Sequence, residues 1–441
     1  MTTESYIPPS THSDAHRFAE PISISDLGID RSVLVDITLK TLFYQGRISR
    51  LDLADAMTIS SSATQELMQL LTQDGFASVL GTEGNGGSNY LYALTEKGVG
   101  RAEAALGRSG YVGPVPVPLA EYVARVGVQT VSDVPLSRLQ VERALAPLVL
   151  PKEEIARIGR AAASRKSMLI HGPSGNGKTT AVRAIGDAIS GDIYIPYAIE
   201  IVGQVVHLYD PSKHNLVSEE APAALTASLP RRSDGRWVRV RRPAIWAGGE
   251  LTSTSLELMY DDNTKVYEAP LQLKANGGTL IIDDFGRQQM PAVALLNRWI
   301  GALEGGIDHL TLHTGQTIEV PFDVLVLFST NLSPHELADD AFLRRIRYKV
   351  KLPNPTPDDF HMIFERECER TGIDYSHSAI THLLDRWYAG HGRELRGCHP
   401  RDLVEAIIDA AAYEGHPAQL NPATIDEASA TYFLEPTNAP T

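Results

Sequence analysis

Cysteine is scarce in this chain of 441 residues, which contains only Cys368 and Cys398. Two cysteines cannot build a disulfide framework, and they lack the paired spacing of a zinc site. Long apolar runs are also missing, so we expect no membrane-spanning segment. Residues 1–9 lack the basic start and apolar core of a signal peptide. These absences predict a cytoplasmic protein that makes no contact with membranes.

Net positive charge is absent as well. The chain has 40 Lys and Arg against 54 Asp and Glu, which gives a formal net charge of −14. Such a balance disfavours broad, sequence-blind binding to nucleic acid, which is itself a polyanion. Any contact with nucleic acid would therefore have to be local. The length and the hydrophobic fraction of 43% suit a globular protein of about three domains.

One stretch carries a specific chemical signal. Residues 171–180, His-Gly-Pro-Ser-Gly-Asn-Gly-Lys-Thr-Thr, contain a complete GxxxxGK[ST] phosphate loop between an apolar strand pattern and a helix pattern that starts at Lys178. The backbone N–H groups of such a loop surround phosphates, and the helix N-terminus attracts them. In this motif Lys178 contacts the β and γ phosphates, and Thr179 binds Mg²⁺. The predicted nucleotide-binding residues are Gly172, Pro173, Ser174, Gly175, Asn176, Gly177, Lys178, Thr179 and Thr180.

About a hundred residues downstream, an apolar stretch ends in two acids. Residues 278–284, Gly-Thr-Leu-Ile-Ile-Asp-Asp, have the pattern of a buried strand that reaches the ligand end of a parallel sheet. We expect Asp283 to bind Mg²⁺ directly or through water, and Asp284 to orient and deprotonate the attacking water. The alternative is a core strand that ends in a solvated acidic turn.

A third signal follows in residues 324–331, Val-Leu-Val-Leu-Phe-Ser-Thr-Asn, which predict another buried strand with a polar end. Asn331 or Thr330 would place the lytic water beside the γ phosphate. Two adjacent arginines, Arg344 and Arg345, then interrupt an apolar helix pattern. Arginine suits the charge of a phosphoryl-transfer transition state because it is a planar, permanent cation. A solvated helix face is the other interpretation of this pair.

The order of these parts resembles the AAA+ ATPases over about residues 140–435. The resemblance implies an α/β fold, with a P-loop core of parallel strands flanked by helices and a C-terminal helical lid. It implies a homo-oligomeric ring, usually a hexamer, with ATP and Mg²⁺ at each subunit boundary. Arg345, or else Arg344, would be the arginine finger supplied by the neighbouring subunit. The lid match, Gly-Cys-His-Pro-Arg-Asp-Leu at 397–403, implies that Arg401 takes the sensor 2 role.

Within that family the sequence is similar to the MoxR-like and magnesium-chelatase-like branch. The similarity lies in residues 273–280, which lead into the acidic strand, and in residues 310–320, which read as an inserted hairpin. That branch usually has Asp-Glu where this chain has Asp283-Asp284. Aspartate is shorter by one methylene, so slow hydrolysis or a switch-like role is a possible consequence.

Residues 26–107 resemble a winged helix-turn-helix domain, because three helix patterns, a hairpin pattern and a fourth helix pattern follow one another. The third helix, residues 60–74, contains no Lys or Arg, and neither does the wing at 81–88. Phosphate contacts supply most DNA affinity, and Arg or Lys makes the commonest base contact. We therefore favour a protein-docking module, with DNA binding as the alternative.

The long segment between the phosphate loop and the acidic strand contains a basic strip, residues 231–242. It either binds a polyanion or an acidic peptide, or it forms a solvated hairpin or a subunit contact.

The expected domain organisation is a flexible arm (1–24), a winged-helix domain (25–109), a semi-rigid proline-rich linker (110–118), the nucleotide-binding core with its lead-in and insert (119–353), the lid (354–435) and a tail (436–441).

The sequence predicts a Mg²⁺-dependent ATPase that works as a ring and remodels a macromolecular partner chosen by its winged-helix module. A protein client is favoured over nucleic acid. The alternative is an ATP-gated DNA-binding regulator in which hydrolysis acts as a timer. A phosphotransferase acting on a small substrate is disfavoured, because such an enzyme needs neither a lid arginine nor a finger from a neighbour.

Overall fold

The structure, a computed structural model, describes residues 19–82, 89–217, 233–337 and 343–433. Several sequence predictions fall outside these ranges: most of the N-terminal arm, the wing tip at 83–88, Arg231 and Arg232 of the basic strip, residues 341–342 of the arginine-containing helix, and the C-terminal tail. Among the described residues, none of the helices combines the length and the apolar character needed to cross a bilayer.

The helices are α1 (Arg31–Gln45), α2 (Arg50–Met57), α3 (Ser61–Gln73), α4 (Glu96–Arg108), α5 (Leu119–Val128), α6 (Arg138–Leu145), α7 (Lys152–Ala163), α8 (Lys178–Ala188), α9 (Leu271–Lys274), α10 (Ala292–Gly305), α11 (Pro334–Leu337), α12 (Pro357–Thr371), α13 (His377–Leu383), α14 (His399–Glu414) and α15 (Pro422–Tyr432). The strands are β1 (Arg47–Ser49), β2 (Ala77–Thr82), β3 (Tyr90–Leu94), β4 (Val117–Pro118), β5 (Met168–His171), β6 (Asp192–Pro196), β7 (Ala198–Ile201), β8 (Gln204–His207), β9 (Trp237–Arg241), β10 (Ala244–Ala247), β11 (Met259–Asp261), β12 (Val266–Glu268), β13 (Gly278–Ile282), β14 (Ile307–Thr311), β15 (Thr317–Pro321), β16 (Val324–Thr330) and β17 (Tyr348–Lys351).

The N-terminal unit contains α1 to α4 and an antiparallel sheet in the order β1-β3-β2. Side-chain oxygens fix the helix starts, since each accepts a hydrogen bond from a backbone N–H of the first turn. These caps are Asp30 for α1, Ser49 for α2, Ser60 for α3 and Thr95 for α4. The four helices and the β2–β3 hairpin follow the order predicted from the sequence, whereas β1, between α1 and α2, is not predicted.

The central sheet has five parallel strands in the order β10-β13-β16-β5-β17. All five residues of β13 and all seven of β16 are buried, which explains their continuous apolar patterns. Apolar clusters cover both faces of the sheet. The predicted α/β fold, with a parallel sheet flanked by helices, is confirmed. Because the strands are parallel, their carboxyl ends meet at one edge of the sheet.

A β-rich insert lies between α8 and β13. Its mixed sheet has the order β11-β12-β8-β7-β4, and β6 pairs antiparallel with β9. Its apolar core also includes residues of α5 and of the β14–β15 hairpin, for example Tyr122 and Leu310. The hairpin predicted at 310–320 is present, and it begins three residues earlier and ends one residue later.

The proline-rich segment 110–118 does not act as a spacer. Tyr111 and Val115 are buried in the core of the N-terminal unit, and Val117–Pro118 forms β4, which pairs with β7 of the insert. The backbone N–H of Val115 donates to the carbonyl of Met57 at 2.9 Å. The apolar residues between the prolines are drawn into the interface, because their burial outweighs the lack of regular structure. The N-terminal unit is therefore packed on the insert.

Arg236 of the basic strip is part of this interface. Arg236 is 1% exposed and ion-paired with Asp234 at 2.7 Å and Glu121 at 3.2 Å. Its guanidinium also donates to the carbonyl of Leu27 at 2.9 Å. These contacts join three parts of the chain: the N-terminal unit, α5 and the insert.

Two further arginines of the strip are also engaged within the chain. Arg239 pairs with Asp192 at 2.7 Å, and Arg242 donates to the carbonyl of Gln129 at 3.0 Å. Within the described residues, the idea of a polyanion grip is therefore not supported for Arg236, Arg239 and Arg242. Glu121, Asp192 and the carbonyl of Gln129 lie 115, 47 and 113 positions from the arginines that contact them, so the strip alone does not reveal these contacts.

The C-terminal helical unit, called the lid below, contains α12 to α15 around its own apolar core. Phe360 and Phe364 of α12 pack with Leu403 of α14 and Ile425 of α15. Thr356 forms a capping box with Asp359 and thereby fixes the start of α12. Residues 352–356, called the hinge below, connect β17 to the lid.

Candidate functional site

The predicted phosphate loop connects β5 to α8, and α8 begins at Lys178 as the sequence indicates. Gly175 and Gly177 have φ values of +80° and +79°, and Gly172 has +139°. L-residues with side chains rarely adopt such angles. The glycines are therefore needed for the conformation that turns the loop back toward the helix.

Neighbouring segments also lie in close contact with this loop. A Cβ atom added to Gly175 would lie 2.4 Å from Sγ of Cys398 in the lid. One added to Gly177 would lie 2.8 Å from a methyl group of Leu148, in the segment before α7. The glycines thus serve two purposes, since they allow the turn and they let the lid and the lead-in approach it closely.

Lys178 is 6% exposed, and its ammonium donates to the carbonyl of Pro173 at 2.7 Å, inside the loop. Burial lowers the pKa of Lys178, the carboxylates of Asp284 and Asp283 oppose this shift, and Arg396 adds to it. The ammonium thus contacts the loop, and the two acids favour its charged form. A bound phosphate would offer it charged oxygens in place of a neutral carbonyl, which are stronger acceptors.

The residues that fit a magnesium ion are next to one another. The hydroxyl of Thr179 lies 3.0 and 3.1 Å from the two carboxylate oxygens of Asp283, and Ser329 also donates to Asp283. Within the described ranges, no cluster of three or more His, Cys, Asp or Glu residues could hold a metal by itself. Mg²⁺ suits such a site, because it is usually bound by one or two protein oxygens together with water and phosphate oxygens.

Asn331 and Asp284, which the sequence also predicts at this edge of the sheet, contact each other. The amide of Asn331 donates to Asp284 at 3.3 Å. Thr330, the alternative to Asn331, is 1% exposed, and its hydroxyl donates to the carbonyl of Phe285. Thr330 therefore holds the turn after β13, whereas Asn331 lies beside the second acid.

Asp284 has an unusual backbone conformation, with φ of +49°. A non-glycine residue in this region stores strain of about 1 kcal/mol or more. The turn persists because Phe285 donates its N–H to the carbonyl of Ser329 at 2.7 Å. Such strain occurs at functional sites, and here it places the Asp284 carboxylate within reach of Asn331.

The structure does not bring Arg401 to the loop. Its guanidinium pairs with the adjacent Asp402 at 2.8 Å and is 59% exposed. Arg396 lies there instead and donates to the carbonyl of Ser174 at 3.2 Å. Arg401 is in the first turn of α14, whereas the chain passes over the phosphate loop just before that helix begins. The geometry thus favours Arg396 over Arg401 as the lid arginine of the site.

Arg345 is at the other end of the sheet. Its carbonyl accepts a hydrogen bond from Ser167 at 3.2 Å, and Ser167 precedes β5 whereas the loop follows it. The four residues of β5 separate the two by roughly 13 Å. The side chain pairs with Glu304 at 3.4 Å and is 18% exposed, and Arg344 is exposed. Neither arginine is therefore placed to serve the site of its own chain.

Sequence reasoning missed Arg396, Ser329 and the connections of Asn176 described below. Arg396 and Ser174 are 222 positions apart, so no local pattern could pair them. Ser329 did stand in the polar end of a recognised strand, and β16 lies between β5 and β13. The order of the strands in the sheet places Ser329 beside Asp283. This order is a property of the fold and cannot be read from the local sequence.

A family model, described as a domain of unknown function (DUF8689), matches residues 356–431, which form the lid. No curated protein matches. One similar solved structure is NtrX from Brucella abortus in complex with ATP, which has 16% identity and a TM-score of 0.38; the alignment covers 64% of this chain and 56% of that one.

A second similar structure is the RuvB Holliday junction branch migration motor of Thermotoga maritima, with 14% identity and a TM-score of 0.35. The alignment covers 63% of this chain and 68% of that one. These likenesses are too distant to assign an activity to this chain. The case for a function rests on its own residues.

Proposed function

We propose that this chain is a Mg²⁺-dependent ATPase of the AAA+ type. One observation carries the proposal: the Thr179 hydroxyl lies 3.0 Å from the Asp283 carboxylate, at the start of the helix whose first residue is Lys178. These groups come from α8 and from the end of β13, and they meet at the carboxyl edge of the parallel sheet. Phosphate-binding proteins with such sheets bind their ligand at this edge.

Each residue then has a distinct role. Lys178 and the loop N–H groups bind the β and γ phosphates, and Thr179 and Asp283 hold Mg²⁺, which neutralises charge on the phosphate oxygens. Asp284 accepts the proton of the attacking water. Asn331, which already contacts Asp284, orients that water. Reaction at such a site depends mainly on positioning and on charge stabilisation.

We further propose that the active form is a cytoplasmic ring of identical subunits. The support is the position of Arg344 and Arg345, at the end of the sheet away from their own loop. An arginine finger contributes only where it reaches the transferring phosphate of a site. Supplied by a neighbour, either arginine would complete the site at a subunit boundary.

We propose that the client is a protein. The N-terminal unit is fixed to the insert through Arg236, so the two present a common surface. On α3, the exposed side chains are polar or acidic, among them Gln65, Glu66 and Gln69. Because this helix offers no cation to a phosphate backbone, a DNA-binding regulator is the weaker candidate.

The test of the catalytic proposal is phosphate release by the full chain with ATP, with and without Mg²⁺. Thr179→Ser keeps the hydroxyl and should keep Mg²⁺-dependent turnover. Thr179→Val has nearly the same shape without the hydroxyl and should lose at least about 90% of turnover, since an ion ligand is removed. Equal turnover by both variants would contradict the metal assignment, and a wild-type chain that hydrolyses no nucleoside triphosphate would refute the proposed function.

A further inference from the structure

Asn176 of the phosphate loop is bonded to both sides of the junction between core and lid. Its amide nitrogen donates to the carbonyl of Pro353 at 3.1 Å and to the side-chain oxygen of Asn354 at 2.8 Å. Its amide oxygen accepts the backbone N–H of Gly397 at 3.0 Å. Residues 353 and 354 belong to the hinge, and residue 397 lies two positions before the first residue of α14. A single 7%-exposed side chain therefore contacts loop, hinge and lid.

Other side chains extend these contacts into a closed ring of polar contacts, called the circuit below. The amide nitrogen of Asn354 donates to Glu394 at 3.2 Å, and the same carboxylate oxygen lies 3.6 Å from the guanidinium of Arg396. Arg396 in turn donates to the carbonyl of Ser174 at 3.2 Å. The path leaves the loop at residue 176 and returns to it at residue 174, through the hinge and the start of the lid.

The partners determine how both amides are oriented. The N–H of Gly397 can only donate and the carbonyl of Pro353 can only accept, so a flipped Asn176 amide would lose both bonds. Asn354 has Asn176 as a donor on one side and the Glu394 carboxylate on the other, which fixes its amide in the same way. The circuit thus has one consistent arrangement, and displacement of any member disturbs its neighbours.

We propose that Asn176 is a positioning residue that couples the lid to the phosphate loop. The inference rests on the proposed nucleotide site and adds a means of regulating it. Phosphates bind to the N–H groups of residues 172–178 in such loops, so occupancy repositions the backbone of Asn176. Its three bonds then transmit the change to the hinge and to the first turn of α14. Conversely, a lid moved by a neighbouring subunit acts on the loop through the same bonds.

Hydrogen exchange on the full chain tests this coupling, with and without ATP and Mg²⁺, in peptides that cover residues 393–402. In the wild type, ATP should slow exchange there. Asn176→Ala should bind ATP within about threefold of wild type, because Lys178 and the loop N–H groups remain. It should lose the ATP-dependent protection of the lid, and its kcat should fall about tenfold, the factor that corresponds to one net hydrogen bond.

Two further variants keep the test decisive. Asn354→Ala leaves the loop sequence intact and should weaken the lid response in the same direction, by less than Asn176→Ala. Arg401→Gln, in the same lid segment but outside the circuit, should respond as the wild type does. Normal ATP-dependent protection in Asn176→Ala would overturn the proposal. If Asn176→Ala does not fold, a normal response in Asn354→Ala would overturn it. Failure of the wild type to bind ATP would instead refute the nucleotide site.

Discussion

The guanidinium of Arg396 lies 3.2 Å from the carbonyl of Ser174, so a lid residue directly contacts the phosphate loop. Arg401, the arginine that the family resemblance indicates, pairs with Asp402 in α14. The distinction matters for mechanism, because a cation beside the loop stabilises phosphate charge whereas an exposed ion pair contributes little. The positive charge of Arg396 also helps to lower the pKa of Lys178.

We predict that Arg396→Ala lowers kcat/KM for ATP by about tenfold to a hundredfold, since a charge-assisted contact to phosphate is lost. Arg401→Ala should stay within about twofold of the wild type. Steady-state phosphate release with both variants measures the difference. A larger loss for Arg401→Ala than for Arg396→Ala would restore the original assignment.

The loop lysine and the second acid should fail in different ways. Lys178→Ala should abolish ATP binding, because the buried ammonium is the charge that faces the phosphates. Asp284→Asn should bind ATP but lose turnover, since an amide cannot accept the proton of the attacking water. Titration with a fluorescent ATP analogue, together with phosphate release, separates the two effects. Equal loss of binding in both variants would contradict these roles.

The sequence located the candidate nucleotide site through local signals. The start of α8 at Lys178 and the end of β13 before Asp283 were both predicted, because a short motif determines the loop and a buried strand must be apolar. Contacts between distant segments could not be predicted in this way. The ion pair of Arg236 with Glu121 joins residues that are 115 positions apart. The same limit concealed the link between Arg396 and the loop.

The burial of Arg236 leads to a prediction about stability. Arg236→Met would leave the 3%-exposed Asp234 without its cation, and loss of one partner of a buried pair costs about 3 to 5 kcal/mol. Arg239→Met breaks the partly exposed pair with Asp192 and should cost less than about 1 kcal/mol. Urea unfolding, followed at several wavelengths, measures both. Similar costs would show that Arg236 is not the main tie between the N-terminal unit and the insert.

The full chain should not hold duplex DNA at physiological salt. Helix α3 has no Lys or Arg, and Arg50, at the start of the preceding helix, donates to the carbonyl of Ser61. Because α3 itself offers no cation, few counterions are released on binding, so affinity is low. Fluorescence anisotropy with a labelled duplex at about 0.15 M salt tests this. Submicromolar binding would favour the ATP-gated DNA regulator.

Arg345 should act on the nucleotide of a neighbouring subunit. Its carbonyl is bonded to Ser167, at the end of β5 away from the loop, so it cannot reach its own γ phosphate. Removal of an arginine finger lowers the rate by about 10³ or more. Arg345→Ala should therefore be nearly inactive while still binding ATP. Arg344→Ala is the matched control, because Arg344 is adjacent and exposed.

The decisive experiment mixes two inactive variants, Lys178→Ala and Arg345→Ala. In a randomly mixed ring, about one boundary in four joins an intact loop to an intact finger from the neighbour, because the interface is head to tail. Part of the activity should return on mixing. If both variants co-assemble and nothing returns, Arg345 does not act across the boundary. Recovery with Arg344→Ala in place of Arg345→Ala, from an equally inactive start, would identify Arg344 as the finger and leave Arg345 to hold Glu304.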